Sequence, residues 1–311
     1  MLMNRSQVLL AKTEVVEGTD PIPTAAGNAV ACADVTPGYS FEQLQRLVVN
    51  SDISDVKTLI GQEIMDMTIR CELKGSGTND LPPEIAPLLK ACGLTETVND
   101  DANVQYAPTA STGTFSTATI YLYKGGLLWK ANACKGNFTI TENAGGYADI
   151  SFQITGKFGG VSDAAVPSDA VYQTTIPVEV GSIGFSFGSF NDAVIRGFTI
   201  SSENSVQKRL DVNSAKGLKG WFIAARSPKF SARIEAELEA THPFWANMRA
   251  RTEEALDATL GTSAGNIVTV TAPKACADAI EVLDDSGILA YTISGKLLKN
   301  SGDDNYLIQF S

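Results

Sequence analysis

Histidine is nearly absent from this chain: among 311 residues there is one, His242. A Ser-His-Asp or Cys-His nucleophilic arrangement would have to run through it. It stands between Thr241 and Pro243 at the start of a helix pattern, a place that needs no catalytic account. Cysteine is sparse as well. Cys32, Cys71, Cys92, Cys134 and Cys276 never approach a CxxC spacing, so zinc and thioredoxin-like chemistry have no support. An odd, scattered set reads as reduced thiols acting as small buried hydrophobes, which fits a protein made in a cytoplasm. Long apolar runs are missing too. Residues 8–11 form only a four-residue run near the N-terminus, short of a signal-peptide core. No stretch approaches the roughly 20 apolar residues of a membrane helix, so no membrane partner is expected. Basic residues are outnumbered, 24 Lys and Arg against 35 Asp and Glu, for a net charge of −11. Such a surface repels phosphates and does not grip DNA or RNA.

Motifs for bound groups also fall short. The acids come as adjacent pairs, Asp100-Asp101, Asp284-Asp285 and Asp303-Asp304, among Gly, Asn and Ser, which is how turn residues look. A calcium loop would place them at alternate positions and end in Glu. Gly156-Lys157 and Gly295-Lys296 lack the upstream glycine of a phosphate loop. Gly75-Ser76-Gly77-Thr78 follows a strand but opens no helix. Trp129, Trp221 and Trp245 are spread over both halves, and Trp245 has helical spacing with Met248, which suits packing better than a sugar platform. The residues therefore predict no catalytic centre, no metal and no cofactor.

What is present is alternation. In Met65-Asp66-Met67-Thr68-Ile69-Arg70-Cys71-Glu72-Leu73, one face takes Met65, Met67, Ile69, Cys71 and Leu73, and the other takes Asp66, Thr68, Arg70 and Glu72. A two-residue period of this kind belongs to an extended chain. Residues 230–238 repeat it, with Arg233, Glu235 and Glu237 on the polar side and Glu239 continuing it. Each strand leads to a short helix pattern. One includes Pro87-Leu88-Leu89-Lys90-Ala91-Cys92 and stops at Gly93. The other is Phe244-Trp245-Ala246-Asn247-Met248-Arg249-Ala250, with Thr241 as a cap and Pro243 in the first turn. The hairpin patterns at 120–128 and 280–289, and the closing strands at 150–154 and 306–310, complete an order that appears twice. The reading is mainly β: two tandem sandwich or barrel domains, 1–165 and 166–311, each with a short flanking helix and a boundary in the small-residue stretch 159–180.

The opening Ala11-Lys12-Thr13-Glu14-Val15-Val16-Glu17-Gly18-Thr19-Asp20-Pro21-Ile22-Pro23-Thr24 resembles the N-terminal arm of siphophage tail tube proteins, the major tube subunits of long non-contractile tails. The segment 61–77, the exit Glu72-Leu73-Lys74-Gly75-Ser76-Gly77-Thr78, the helix ending at Gly93, Thr262-Ser263-Ala264-Gly265-Asn266-Ile267-Val268 and Gly302-Asp303-Asp304 are similar in the same order. Glu17 stands where that family often has an aromatic. The resemblance touches both ends and most of the chain, and it persuades by order, since no single motif is diagnostic.

That resemblance implies a structural virion protein, not an enzyme, assembled in the host cytoplasm into stacked rings around a lumen that conducts phage DNA without specific binding. It implies contacts with a tape-measure protein, a tail terminator and a distal tail or baseplate protein. Two tube-type domains per chain would suit a trimeric ring with pseudo-sixfold symmetry, with a hexamer as the alternative. The polar strand faces (Asp66, Thr68, Arg70, Glu72, Arg233, Glu235, Glu237 and Glu239) become candidates for the lumen wall, with an expected acidic excess. Phe41, Leu44, Leu47, Val48, Val49 and Ile53, unusually apolar for a connection, become candidates for an inter-ring arm. The residues alone also admit a β-sandwich binding module, such as a capsid decoration or carbohydrate-binding protein, and more distantly a hydrolase with an acid pair.

Overall fold

Strands hold 53% of the residues and helices 7% in the computed structural model, as the two-residue period requires. The structure describes residues 5–49, 51–180, 184–191 and 194–311. The first half contains β1 (Gln7–Thr13), α1 (Ala25–Asn28), β2 (Ala29–Val30), β3 (Asp34–Leu44), β4 (Leu59–Glu72), α2 (Ala86–Ala91), β5 (Leu94–Asn99), β6 (Asn103–Pro108), β7 (Ala118–Lys124), β8 (Leu127–Asn143) and β9 (Asp149–Asp163). The second contains β10 (Gly184–Phe187), β11 (Ile195–Ser201), β12 (Asn204–Leu210), β13 (Leu218–Arg226), β14 (Lys229–Glu235), α3 (Phe244–Ala250), β15 (Glu254–Leu260), β16 (Val268–Asp285), β17 (Ile288–Leu297) and β18 (Leu307–Phe310).

One order of antiparallel pairing occurs in each half. In the first it runs β1, β7, β8, β9, β4, β3. In the second it runs β10, β15, β16, β17, β14, β11. The end of β8 then pairs with β11, Thr139 opposite Ser201 and Asn143 opposite Gly197. Eight strands, in the order β3, β4, β9, β8, β11, β14, β17, β16, thus form one continuous sheet through both halves. The halves interlock a second time: the β5–β6 hairpin pairs with β18, which pairs with β16. One apolar core collects Met65, Met67 and Ile69 from β4, Phe138 and Ile140 from β8, and Phe198, Ile200 and Ile234 from the second half.

Two glycine-lysine pairs that looked like weak phosphate motifs occupy matching places in this order. Gly156 lies opposite Met65, and Gly295 lies opposite Phe230. A Cβ on Gly156 would come 2.5 Å from the Cys134 sulfur, and one on Gly295 would come 2.1 Å from the Cys276 carbonyl. Glycine is required at both points because the neighbouring strand is too close for a side chain.

Four local expectations change. β14 ends at Glu235, whereas the alternation runs to Leu238; the Leu238 carbonyl instead closes a turn by accepting from the amides of Thr241 and His242. Thr241 makes no cap to α3, whose Ala246 amide donates to Glu239 Oε1 at 3.0 Å. The hairpin at 280–289 joins β16 to β17, so its counterpart is β8–β9, not the 120–128 hairpin between β7 and β8. The closing strands also differ: β9 pairs with β4 and β8, while β18 pairs with β16 and β6. The small-residue stretch at 164–180 is irregular, as its composition suggests, but it is tied down. Gln173 bonds to Glu84, to the Pro82 carbonyl and to Lys74.

Candidate functional site

The two polar strand faces meet on one side of the continuous sheet. Asp66, Thr68 and Arg70 are exposed on β4, and Met65, Met67, Ile69 and Cys71 are buried beneath them. Directly opposed residues in a ladder point to the same side, so the face can be followed strand by strand. Arg70 opposes Ser151, Ser151 opposes Thr139, Thr139 opposes Ser201, Ser201 opposes Lys229 and Lys229 opposes Lys296. The neighbouring row reaches Arg233 from Asn143 through Gly197. Glu235 lies two residues farther along β14 on the same side and is half-buried, as Glu72 is on β4.

Glu237 and Glu239 lie beyond the end of β14, in the connection to α3. Without them the acidic excess of the face narrows. By these pairings Asp34, Asp66, Glu72, Asp149, Glu235, Glu281 and Asp285 share the face with Arg70, Lys135, Lys157, Lys229, Arg233 and Lys296, among many threonines and serines. Several of these charges are paired: Arg70 Nε with Asp149 at 2.9 Å, Arg233 with Asp285 at 2.9 Å, and Arg196 with Glu235 at 3.1 Å and Asp285 at 3.0 Å. Exposed pairs contribute about 0–1 kcal/mol each, so they fix charge positions more than they hold the fold. The β12–β13 hairpin packs against β8 and β9, and Val206 lines a shallow cleft with Asp66, Thr68, Asn137, Gln153 and Thr155.

The connection from β3 to β4 has no regular structure among its described residues, and Asn50 lies outside them. Leu47, Val49 and Ile53 are fully exposed, and Phe41, Leu44 and Val48 are exposed in part. Apolar surface this open is unusual for a connection. Its second-half counterpart, residues 205–220, is mostly polar. It is a regular hairpin, β12 with β13, that carries Lys208, Arg209, Lys216 and Lys219. Lys216 pairs with Glu63 of β4, so this hairpin folds back onto the first half.

The N-terminal arm is anchored by a residue that its polarity does not single out. Glu14 is buried, and its carboxylate accepts from the Gly18 amide at 2.6 Å, Thr117 Oγ1 at 2.6 Å, Thr119 Oγ1 at 2.7 Å and the Ala133 amide at 2.8 Å. Asp20 accepts from the Tyr121 hydroxyl. Two segments that carried the family resemblance dock on each other across the halves. The Gly75 amide donates to Asn266 Oδ1 at 2.8 Å and the Gly77 amide to the Gly265 carbonyl at 2.9 Å. A Cβ on Gly75 would come 2.1 Å from that carbonyl, which explains the glycine there.

His242 is buried among Phe187, Phe190 and Phe244. Burial pushes its imidazole below the ordinary value. Its Nδ1 lies 3.4 Å from Ser189 Oγ and its Nε2 lies 3.7 Å from Glu254, both longer than the roughly 2.6–3.2 Å of a working nucleophile and base. Asp284 and Asp304 accept turn amides. Trp221 is buried, and Trp245 packs edge-on to Tyr291.

Compared with family models, residues 4–297 match phage tail tube protein. The chain belongs to the phage tail tube protein family. Among curated proteins, none matches it. As a tail tube protein it is a structural component of the virion tail, one of a family that self-assembles into a tube and associates with other tail components. Sequence reasoning missed the β8–β11 junction and the Glu14 anchor. Gly18, Pro21 and Pro23 keep residues 14–24 out of helix, but nothing in the pattern marks Glu14 as buried.

Proposed function

We propose that this tail tube protein forms closed rings that stack into a tube, with the polar face of the eight-stranded sheet lining the lumen through which phage DNA passes. The observation that carries this reading is the continuity of that face: four strands from each half, polar on one side and apolar on the other. The recurring pairing order and the matched Gly156 and Gly295 support tandem duplicated domains, 1–165 and 166–311, and hence a trimeric ring with pseudo-sixfold symmetry in preference to a hexamer. A lumen wall rich in hydroxyls, with its charges largely paired, offers DNA no run of free cations, so passage needs no specific binding. Phe41, Leu44, Leu47, Val48, Val49 and Ile53 would bury their apolar surface on the next ring. The tape-measure protein would run inside the tube, and the tail terminator and a distal tail or baseplate protein would meet its two ends. Assembly would take place in the host cytoplasm.

Electron microscopy of the purified protein at high concentration tests this, together with the mass of a single ring. Rings of three chains, alone or stacked, are expected. Monomers that persist at every concentration and bind a glycan would overturn it in favour of a binding module.

A further inference from the structure

We propose that the β12–β13 hairpin is a charge-driven docking element: Lys208, Arg209, Leu210 and Val212 seat on the turn Glu237-Leu238-Glu239 of a second copy in the adjacent ring, and opposite charge sets the direction in which rings stack. This rests on the ring reading above and goes beyond it by naming a donor surface and its seat.

The two surfaces lie at opposite ends of the sheet. Four antiparallel steps lead from Arg70 to Lys229, so β4 and β14 run in the same direction. Glu63 precedes Arg70 on β4, and the tip of the hairpin reaches it there through Lys216. Glu235 follows Lys229 on β14, and the turn at 236–241 continues beyond it. The Ala236 amide donates to the Leu289 carbonyl at 2.9 Å, which sets this turn beside the turn from β16 to β17. In a ring lined by the sheet, strand ends point toward the neighbouring rings, the hairpin one way and the two turns the other.

Their charges are opposite. Residues 204–226 carry five bases and one acid, whereas residues 235–240 and 281–289 together carry six acids and no base. Lys216 pairs with Glu63, and Lys219 lies 3.7 Å from Asp211. Lys208 and Arg209 remain exposed, with no acidic partner among the described residues. Glu237 and Glu239 are exposed as well and have no basic partner among the described residues; Glu239 accepts the Ala246 amide at 3.0 Å.

Each charged surface also has an apolar centre. Leu210 is 64% exposed and Val212 96%, beside the free bases; Leu238 is 75% exposed and Leu289 55%, beside the free acids. An apolar contact rimmed by opposite charges is the pattern of a specific interface between partners. The same charges exclude the wrong orientation. Turning one ring over would set base against base or acid against acid, and like charges brought together are repelled. Hairpin on turn is the one arrangement that satisfies both ends, and it repeats from ring to ring without changing direction.

The test is two charge reversals in the full chain: Lys208→Glu with Arg209→Glu in one protein, and Glu237→Lys with Glu239→Lys in another. Stacking is read by electron microscopy and sedimentation. Each protein alone should keep its thermal midpoint and form single rings, with tubes several-fold shorter than those of the unsubstituted chain. Mixing the two should restore long tubes, because every altered end then meets one of opposite sign. The milder Lys208→Gln with Arg209→Gln should shorten tubes too, and it serves where a reversal disturbs the fold. Tubes of normal length from any of the three alone, or rings of both reversed kinds that stay unstacked when mixed, overturn this docking while leaving the ring reading intact. Absence of rings and tubes from the unsubstituted chain would remove the ring reading, and this docking with it.

Discussion

Glu14 concentrates more hydrogen bonding than any other side chain of the N-terminal arm. Its carboxylate holds two backbone amides and two threonine hydroxyls in a buried site. Removing it leaves those donors without a partner, and an unsatisfied buried group costs about 1–3 kcal/mol. Glu14→Ala should therefore lower unfolding stability by about 3 kcal/mol or more, read as the shift of the denaturation midpoint; a loss below about 1 kcal/mol would contradict this account. Two other buried groups predict opposite pH responses. The His242 imidazole is held below its ordinary value of 6.5 by burial, so the unfolded chain binds the extra proton first and stability falls as pH drops through that value. The Glu142 carboxyl, buried with neither oxygen hydrogen-bonded among the described residues, is pushed up by that burial to about 8 from 4.5. The unfolded chain ionises it first, so its contribution is full below 4.5 and is lost as pH rises toward 8. Glu142→Gln should raise the thermal midpoint at pH 8 and change it little near pH 4. Equal gains at both pH values would show that ionisation is not the cause.

At the scale of elements, the sequence was legible where one side of a strand is buried. β4 follows its alternation residue by residue, because a one-residue slip would expose Met65, Met67, Ile69 and Cys71. The same pattern over-extended β14. Leu238 continues the alternation, but its side chain is 75% exposed and its carbonyl closes a turn. Alternation records side-chain type and carries no information about where a backbone ladder runs out. β12 and β13 went unseen for a related reason: the exposed stretch of β12, Gln207 to Leu210, is mostly polar and shows no buried side. The β8–β11 junction joins residues about sixty positions apart, and no local pattern encodes that partnership. The connection between β3 and β4, by contrast, shows its apolar residues in the sequence, in a place that a simple connection would make polar. Deleting residues 45–53 should leave a folded chain, since the β3–β4 ladder survives and a shorter loop closes at little entropic cost. That chain should not polymerise. Full-length tubes from the deletion variant would assign inter-ring contact to some other surface.

At the scale of the whole molecule, the charge of the sheet face matters more than the net charge of −11. Duplex DNA carries one negative charge per roughly 1.7 Å of axis, and a wall of free cations would release its counterions and hold it. The face instead sets acids against fewer bases, with Arg70 and Arg233 each bound to a carboxylate and threonines and serines between them. In the proposed lumen, screening over about 8 Å at physiological salt would keep any repulsion close to the wall, enough to discourage sticking without opposing passage. Asp66→Lys with Thr68→Lys puts unpaired cations on β4 at two exposed positions of this face, leaving the buried Met67 between them untouched. Tails built from that variant should assemble normally and eject DNA more slowly, with the delay greatest at low salt and shrinking as salt rises. Unchanged ejection at every salt concentration, in tails of normal length, would place this face outside the lumen.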